Sequence, residues 1–177
     1  METLDDNTIM LKVKAGDSDQ LGLLFERYHQ ILFQFFYNIH HDRLASEDLV
    51  QNVFERVLKY RARFRGEGAF KQWLFSNARN VSHDYYKKSI PHQADDLEHW
   101  KNVLPEEEKN AWSEEKQLLR IAMQKLDSKK RELLTLSKLE GWRYQEIATI
   151  LSYSEGSIKE MIFRALQELK NENAKLN

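Results

Sequence analysis

Leu21, Leu24, Phe25, Tyr28, Leu32, Phe35, Phe36 and Ile39 recur at intervals of three and four residues, the spacing that gathers side chains on one face of an α-helix. This stripe predicts one long helix, ending near His40-His41, as the core of a first domain. A shorter helix is predicted before it, from about Asn7 to Ala15, with Gly16 as its stop and Asp17, Ser18 or Asp19 starting the next. Leu49, Val50, Val53, Phe54 and Val57 predict a third helix, with Ser46 as its cap and Glu47 and Asp48 in the first turn, where the helix dipole favours anions. Its opposite face is polar and carries Asp48, Gln51, Asn52 and Glu55. The glycines of Phe64-Arg65-Gly66-Glu67-Gly68 favour a loop. Beyond it, Phe70, Trp73, Leu74, Ala78 and Val81 predict a fourth helix over roughly Ala69 to Lys88, with Trp73 buried.

Between Ser89 and about Trp112 the periodicity lapses, and the stretch contains both prolines, Pro91 and Pro105, with the run Glu106-Glu107-Glu108. This segment reads as a linker. From about Ser113 four further helices are predicted, with Leu118, Ile121, Ala122, Leu126, Leu133, Leu134, Leu136 and Leu139 in their shared core. The last two form a helix-turn-helix: Gly141 can adopt the left-handed conformation that ends a helix, Ala148 lets two helices cross closely, and Ser154 can cap the second. No strand is expected. The fold class is all-α, two small helical domains (1–88 and 113–177) joined by a flexible acidic linker (89–112), the second a four-helix domain containing the helix-turn-helix.

Composition narrows the chemistry. The chain has 177 residues, 41% of them hydrophobic, and no cysteine, which removes disulfides, thiolate nucleophiles and cysteine-based zinc sites. Met1 leads into Glu2, Asp5 and Asp6, and no stretch is long and apolar enough to span a bilayer. The expectation is a soluble, cytoplasmic protein with no membrane insertion, no cofactor and no metal. The formal charge is only -1, yet it is segregated. Residues 1–60 hold six Lys/Arg against ten Asp/Glu, residues 61–88 seven against two, and residues 89–117 three against eight. A basic face on the first domain is therefore expected, together with weak DNA binding by the isolated protein.

Placing Ile158, Ile162, Ala165 and Leu169 inward on the last helix turns Lys159, Glu160, Phe163 and Arg164 outward, with Met161 at the boundary. Lys159 and Arg164 suit guanine edges or phosphates, Phe163 suits a thymine methyl or a sugar, and Glu160 can accept only from a donor such as cytosine N4. The stretch from Phe64 to Tyr85 combines aromatics, a glycine-bearing loop and basic residues. Together with Asn80 it offers surface for an unstacked base. His40-His41-Asp42 also resembles the His-Asp pair of helical metal-dependent phosphohydrolases, but His29, His83, His92 and His99 add no ligand pattern.

Three motifs occur in order: Glu47-Asp48-Leu49-Val50-Gln51-Asn52-Val53-Phe54; Phe64-x-Gly66-x-x-x-Phe70-x-x-Trp73-Leu74-x-x-x-Ala78-Arg79-Asn80; and the terminal helix-turn-helix. Together they resemble a bacterial RNA polymerase sigma factor of the extracytoplasmic function (ECF) group of the sigma-70 family. The resemblance covers most of the chain. It implies a transcription initiation factor, not an enzyme, whose partners are core RNA polymerase (the beta-prime coiled coil and the beta subunit), promoter DNA and an anti-sigma factor. Asp48, Gln51, Asn52 and Glu55 would face polymerase. Phe64, Arg65, Gly66, Glu67, Gly68, Ala69, Arg79 and Asn80 would hold the melted minus-ten element, and Ser157, Lys159, Glu160, Phe163 and Arg164 would face the minus-thirty-five element. The linker would thread into the polymerase interior. Three positions depart from the family pattern. Glu160 stands where a small hydroxyl residue is common, Met161 where arginine is common, and Asn77 where an apolar residue is usual. The alternative reading is a helix-turn-helix regulator that acts without polymerase, which leaves the Asp48 stripe and the loop unused.

Overall fold

The computed structural model describes residues 4–93 and 113–176, with the backbone alone at 90–93. The chain divides into two compact units, Met1–Ile90 and Pro91–Asn177, and every regular element among the described residues is helical.

In the first unit, helix α1 (Asp6–Lys14) is capped by Asp5, whose side chain accepts from the Thr8 N–H. The left-handed turn at Gly16 (φ +112°) and a short 3-10 turn at Ser18–Gln20 lead into α2 (Leu21–His40). The predicted stripe is the core of this unit, with Leu24, Leu32, Phe35 and Phe36 fully buried and Phe25 at its margin. Rings tie α2 to its neighbours: Phe25 meets Phe54 edge-on at 5.0 Å, Tyr28 meets Phe70 at 5.7 Å, and Phe35 meets Phe75 at 5.4 Å. Each fully buried side chain of this size contributes about 1.5–3 kcal/mol by leaving water.

Helix α3 (Arg43–Lys59) begins a turn earlier than its pattern suggests. His41, left-handed at φ 54°, ends α2, and the chain starts the next helix at once with Asp42 as the cap, accepting from the Ala45 N–H at 2.9 Å. Ser46 is therefore not the cap. It is wholly buried and donates its hydroxyl to the Asp42 carbonyl at 2.5 Å. A 3-10 turn at Arg61–Arg63 precedes the loop, and α4 (Phe70–Gln93) follows it.

Two expectations about α4 need correction. Trp73 is only half-buried, because Phe70, Leu74, Phe75, Ala78 and Val81 already fill the inward positions. The helix also runs on through Pro91 to Gln93, past the predicted end at Lys88. A proline in the last turn removes one intrahelical bond and leaves the preceding turns intact. The expected linker thus begins helically, and the remainder of it, 94–112, lies outside the described residues.

In the second unit Ser113 precedes α5 (Glu114–Lys125). Asp127 caps α6 (Ser128–Leu134), accepting from the Lys130 N–H at 2.9 Å. A π turn at Thr135–Leu139 extends α6, and α7 (Tyr144–Leu151) and α8 (Glu155–Ala174) complete the unit. Ala122, Met123, Leu126, Leu133, Leu134, Leu136, Trp142, Ile147, Ile158, Ile162 and Ala165 are buried. Ile121 and Leu139, expected in this core, are 42% and 53% exposed. On α5, the inward positions Ala122, Met123 and Leu126 leave Ile121 on the flank. On α6 the wider π turn shifts the phase of the helix and carries Leu139 outward.

Candidate nucleic-acid interfaces

Three surfaces collect the predicted site residues. The first is the outer face of α3. Burial of Leu49, Val50, Val53, Phe54 and Val57 fixes the roll of the helix, so Asp48, Gln51, Asn52 and Glu55 are all exposed. The structure adds a residue to this stripe. Leu44, 74% exposed, lies four positions before Asp48 and seven before Gln51, hence on the same face. Sequence reasoning missed it because a helix capped at Ser46 leaves Leu44 outside. A single exposed apolar side chain is ordinary on a solvated surface, and here it adds an apolar edge to the acid-amide stripe.

The second surface is the loop 64–69 with α4. Arg65, Glu67 and Ala69 are exposed, while Gly66 and Gly68 hold positive φ angles of 75° and 117°. Phe64 departs from the expectation of a DNA-facing ring. It is 3% exposed and packs edge-on against Phe70 at 6.0 Å and Trp73 at 5.4 Å. The ring anchors the loop, and only its neighbours face outward. Asn80 is exposed and Arg79 half-buried. Ten residues at 1.5 Å each place Asn80 about 15 Å along α4 from Phe70, so the loop and Asn80 are two separate stations along the helix. Asn77, the departure noted above, donates to the Trp73 carbonyl of its own helix at 2.9 Å.

Cations flank this surface. Arg63 and Lys59 lie over the Tyr60 ring, at 4.6 and 5.4 Å from its centre, and Lys87 and Lys88 are exposed further along α4. An aromatic ring among cations can stack on a base while its neighbours contact phosphate. Tyr60 was overlooked because it lies between the two helical patterns.

The third surface is the outer face of α8. Ser154 caps the helix as expected, accepting from the Ser157 N–H at 3.1 Å. Lys159, Glu160, Phe163 and Arg164 point outward, Phe163 at 62% exposure. Ser157 is half-buried, its hydroxyl 2.8 Å from that of Ser154. Both cations have partners on their own helix: Lys159 with Glu155 at 3.7 Å, and Arg164 with Glu160. Gly141 (φ +69°) makes the turn that delivers α7, and the Trp142 N–H closes it on the Leu136 carbonyl at 2.9 Å. Arg143, at the start of α7, is a further exposed cation, 3.7 Å from Glu146 of the same helix.

The His-Asp pair has structural employment. His40 Nε2 lies 2.8 Å from the Ser82 hydroxyl and its ring packs on Tyr85, while Asp42 caps α3. Among the described residues no three His, Cys, Asp or Glu side chains cluster as metal ligands would. No described helix is long and apolar enough to cross a membrane.

Comparison with known proteins follows the same division. Residues 24–89 match the Sigma-70 region 2 family, and residues 116–169 match Sigma-70, region 4. The chain is 31% identical to the ECF RNA polymerase sigma factor SigX of Bacillus subtilis, over 84% of this chain and 80% of that one. It is 28% identical to the ECF RNA polymerase sigma-E factor of Haemophilus influenzae, over 96% of each. Among solved structures, CnrH in complex with the cytosolic domain of CnrY aligns with a TM-score of 0.71 at 21% identity, covering 94% of this chain and 95% of that one. The sigma factor RpoE of Bartonella quintana, in complex with the anti-sigma factor NepR, aligns with a TM-score of 0.64 at 21% identity, covering 85% and 94%.

Proposed function

The chain belongs to the ECF group of sigma-70 factors, promoter-specific initiation factors that bind RNA polymerase, and from that premise we propose that its surfaces divide the work. The first unit docks on core polymerase through α3, with Asp48, Gln51, Asn52 and Glu55 facing an arginine-rich helix of the beta-prime coiled coil and Leu44 packing at the edge. The same unit holds the melted minus-ten strand along the loop, Tyr60 and α4, with Asn80 reading a base edge. The second unit sets Lys159, Phe163 and Arg164 against the minus-thirty-five duplex. The linker follows the path of nucleic acid through the polymerase. The work is done by binding, in the cytoplasm where polymerase acts, and an anti-sigma factor that covers these faces is a further partner.

The observation that carries this reading is the outward acid-amide stripe of α3, opposite its buried face. A helix-turn-helix regulator working alone has no use for it. Weak DNA binding by the free protein follows from the partnered cations of α8 and the small net charge, so promoter recognition depends on polymerase holding both units on DNA. The test is reconstitution with purified core enzyme, followed by run-off transcription on host genomic DNA. Co-elution and new transcripts are expected. A protein that neither co-elutes nor directs initiation sinks the proposal. Asp48→Arg should remove co-elution while the helical circular dichroism stays intact, and normal binding would remove the assignment of the docking face.

A further inference from the structure

The loop 64–69 is held by a helix that neither family match includes. Residues 7, 11 and 14 of α1 share one face of that helix, at spacings of four and three, and each engages the loop. The Asn7 side-chain amide donates to the Gly68 carbonyl at 2.8 Å, and its oxygen accepts from the Phe70 N–H at 2.7 Å. Leu11 Cδ2 lies 3.4 Å from where a Cβ on Gly66 would stand. The Lys14 ammonium donates to the Phe64 carbonyl at 2.5 Å.

These contacts do two different jobs. Phe70 opens α4, so its N–H has no partner within the helix. Asn7 therefore caps α4 from sixty-three positions away. The bond to Gly68 is not a cap. It fixes a carbonyl within a segment whose two glycines would otherwise sample many backbone states. The other side of α1 is anchored to the core. Ile9, Met10 and Val13 are fully buried, and Asp6 accepts from the Tyr28 hydroxyl and from Arg27 at 2.5 Å. The loop therefore takes its shape from α1, and α1 takes its position from α2.

We propose that α1 sets the shape of the base-holding loop, with Asn7 as a positioning residue for promoter opening; this rests on the assignment of the loop and Asn80 to the melted strand. Loss of the clamp lets the loop explore conformations in which its backbone groups no longer meet the unstacked base, and the opening step slows while docking on polymerase and upstream contacts stand.

The experiment uses holoenzyme reconstituted with the full chain and a promoter fragment, chosen from the run-off products, that carries 2-aminopurine in its minus-ten element. Asn7→Ala should lower the opening rate roughly tenfold, with core affinity unchanged within about twofold. Asn7→Asp keeps the acceptor for the Phe70 N–H but sets a carboxylate against the Gly68 carbonyl. It should regain thermal stability yet remain slow to open. Lys14→Met should show a smaller defect of the same kind and carries the test if Asn7→Ala does not assemble. Full opening by Asn7→Asp would overturn the proposal by reducing Asn7 to a cap. Wild-type opening by Asn7→Ala beside a defective Asn80→Ala would overturn the clamp alone. Wild-type opening by both would overturn the assignment of the loop and the clamp with it.

Discussion

The loop that opens α4 and the outer face of α8 are both proposed to meet DNA, and they are built in opposite ways. The α8 face is self-contained: Ser154 caps it, Ile158, Ile162 and Ala165 set its roll, and Glu155 and Glu160 pair its cations from within the same helix. The loop contains almost nothing that would hold it. Its anchors are the Phe64 ring in the aromatic cluster and the side chains of Asn7, Leu11 and Lys14, far away in sequence. A reading surface on a helix can thus be specified locally, whereas one on a glycine-bearing loop needs the rest of its unit.

The contrast is most exposed by a pair of phenylalanines. Phe64→Ala should cost about 3–5 kcal/mol of stability in the first unit, the usual penalty for emptying a buried aromatic site. Phe163→Ala should stay within about 0.5 kcal/mol because the ring already faces water. Thermal unfolding of the two variants checks this, and similar melting shifts would break the comparison.

The next effect is on function. Asn80→Ala should slow promoter opening on the order of tenfold and leave upstream binding alone. Arg164→Ala should weaken upstream binding about equally and leave the opening of pre-bound complexes alone. Fluorescence of the melted element and footprinting of the upstream element separate the two steps. Crossed results, with Arg164 governing melting, would reassign both surfaces.

Glu160→Ser should act in the other direction. Removing this carboxylate frees Arg164 from its partner and takes a negative charge away from the phosphates. Affinity for an upstream duplex should rise several-fold, and the salt dependence should steepen by about one counterion. An unchanged salt slope would mean that Arg164 does not reach the backbone.

The smallest effect is that of acid on two helix caps. Hydrogen bonds from the Thr8 hydroxyl and N–H hold the Asp5 carboxyl below the ordinary aspartate value. Partial burial raises that of Asp127, but bonds from the Lys130 N–H and ammonium outweigh it, so it too is lowered. A lowered folded value means that the stabilisation is present above the unfolded value, near pH 4, and is lost as pH falls through the folded value. Amide exchange, taken relative to its intrinsic rate at each pH, should therefore quicken between pH 5 and pH 3 at the start of α1 and, through Asn7, in the loop. In the second unit it should quicken at α6 and not along the outer face of α8. Equal loosening of both reading surfaces would remove the distinction.

How much was legible in the sequence follows the same line. The outward set on α8, the Asp48 stripe and the Gly141 turn were readable, because a helical period or one left-handed glycine defines each. Leu44 escaped because Ser46 is a good cap by type, and only the tertiary turn at His41 made Asp42 the one used. Phe64 was expected at the DNA surface because the family resemblance carries the loop from Phe64 to Ala69 over as one unit. Its burial depends on Phe70 and Trp73 closing over it.

Hydrophobic periodicity by itself determined the all-helical class, the two-unit division and which side of each long helix faces water, since those follow from spacings within about a dozen residues. Tertiary structure alone decided where Ser46, Ile121, Leu139 and Trp73 lie and what holds the loop. Neither the phase of a helix after a cap or a π turn nor the partner of an orphan N–H is fixed by neighbouring residues. Asn7 became meaningful only when folding brought it to Gly68 and Phe70.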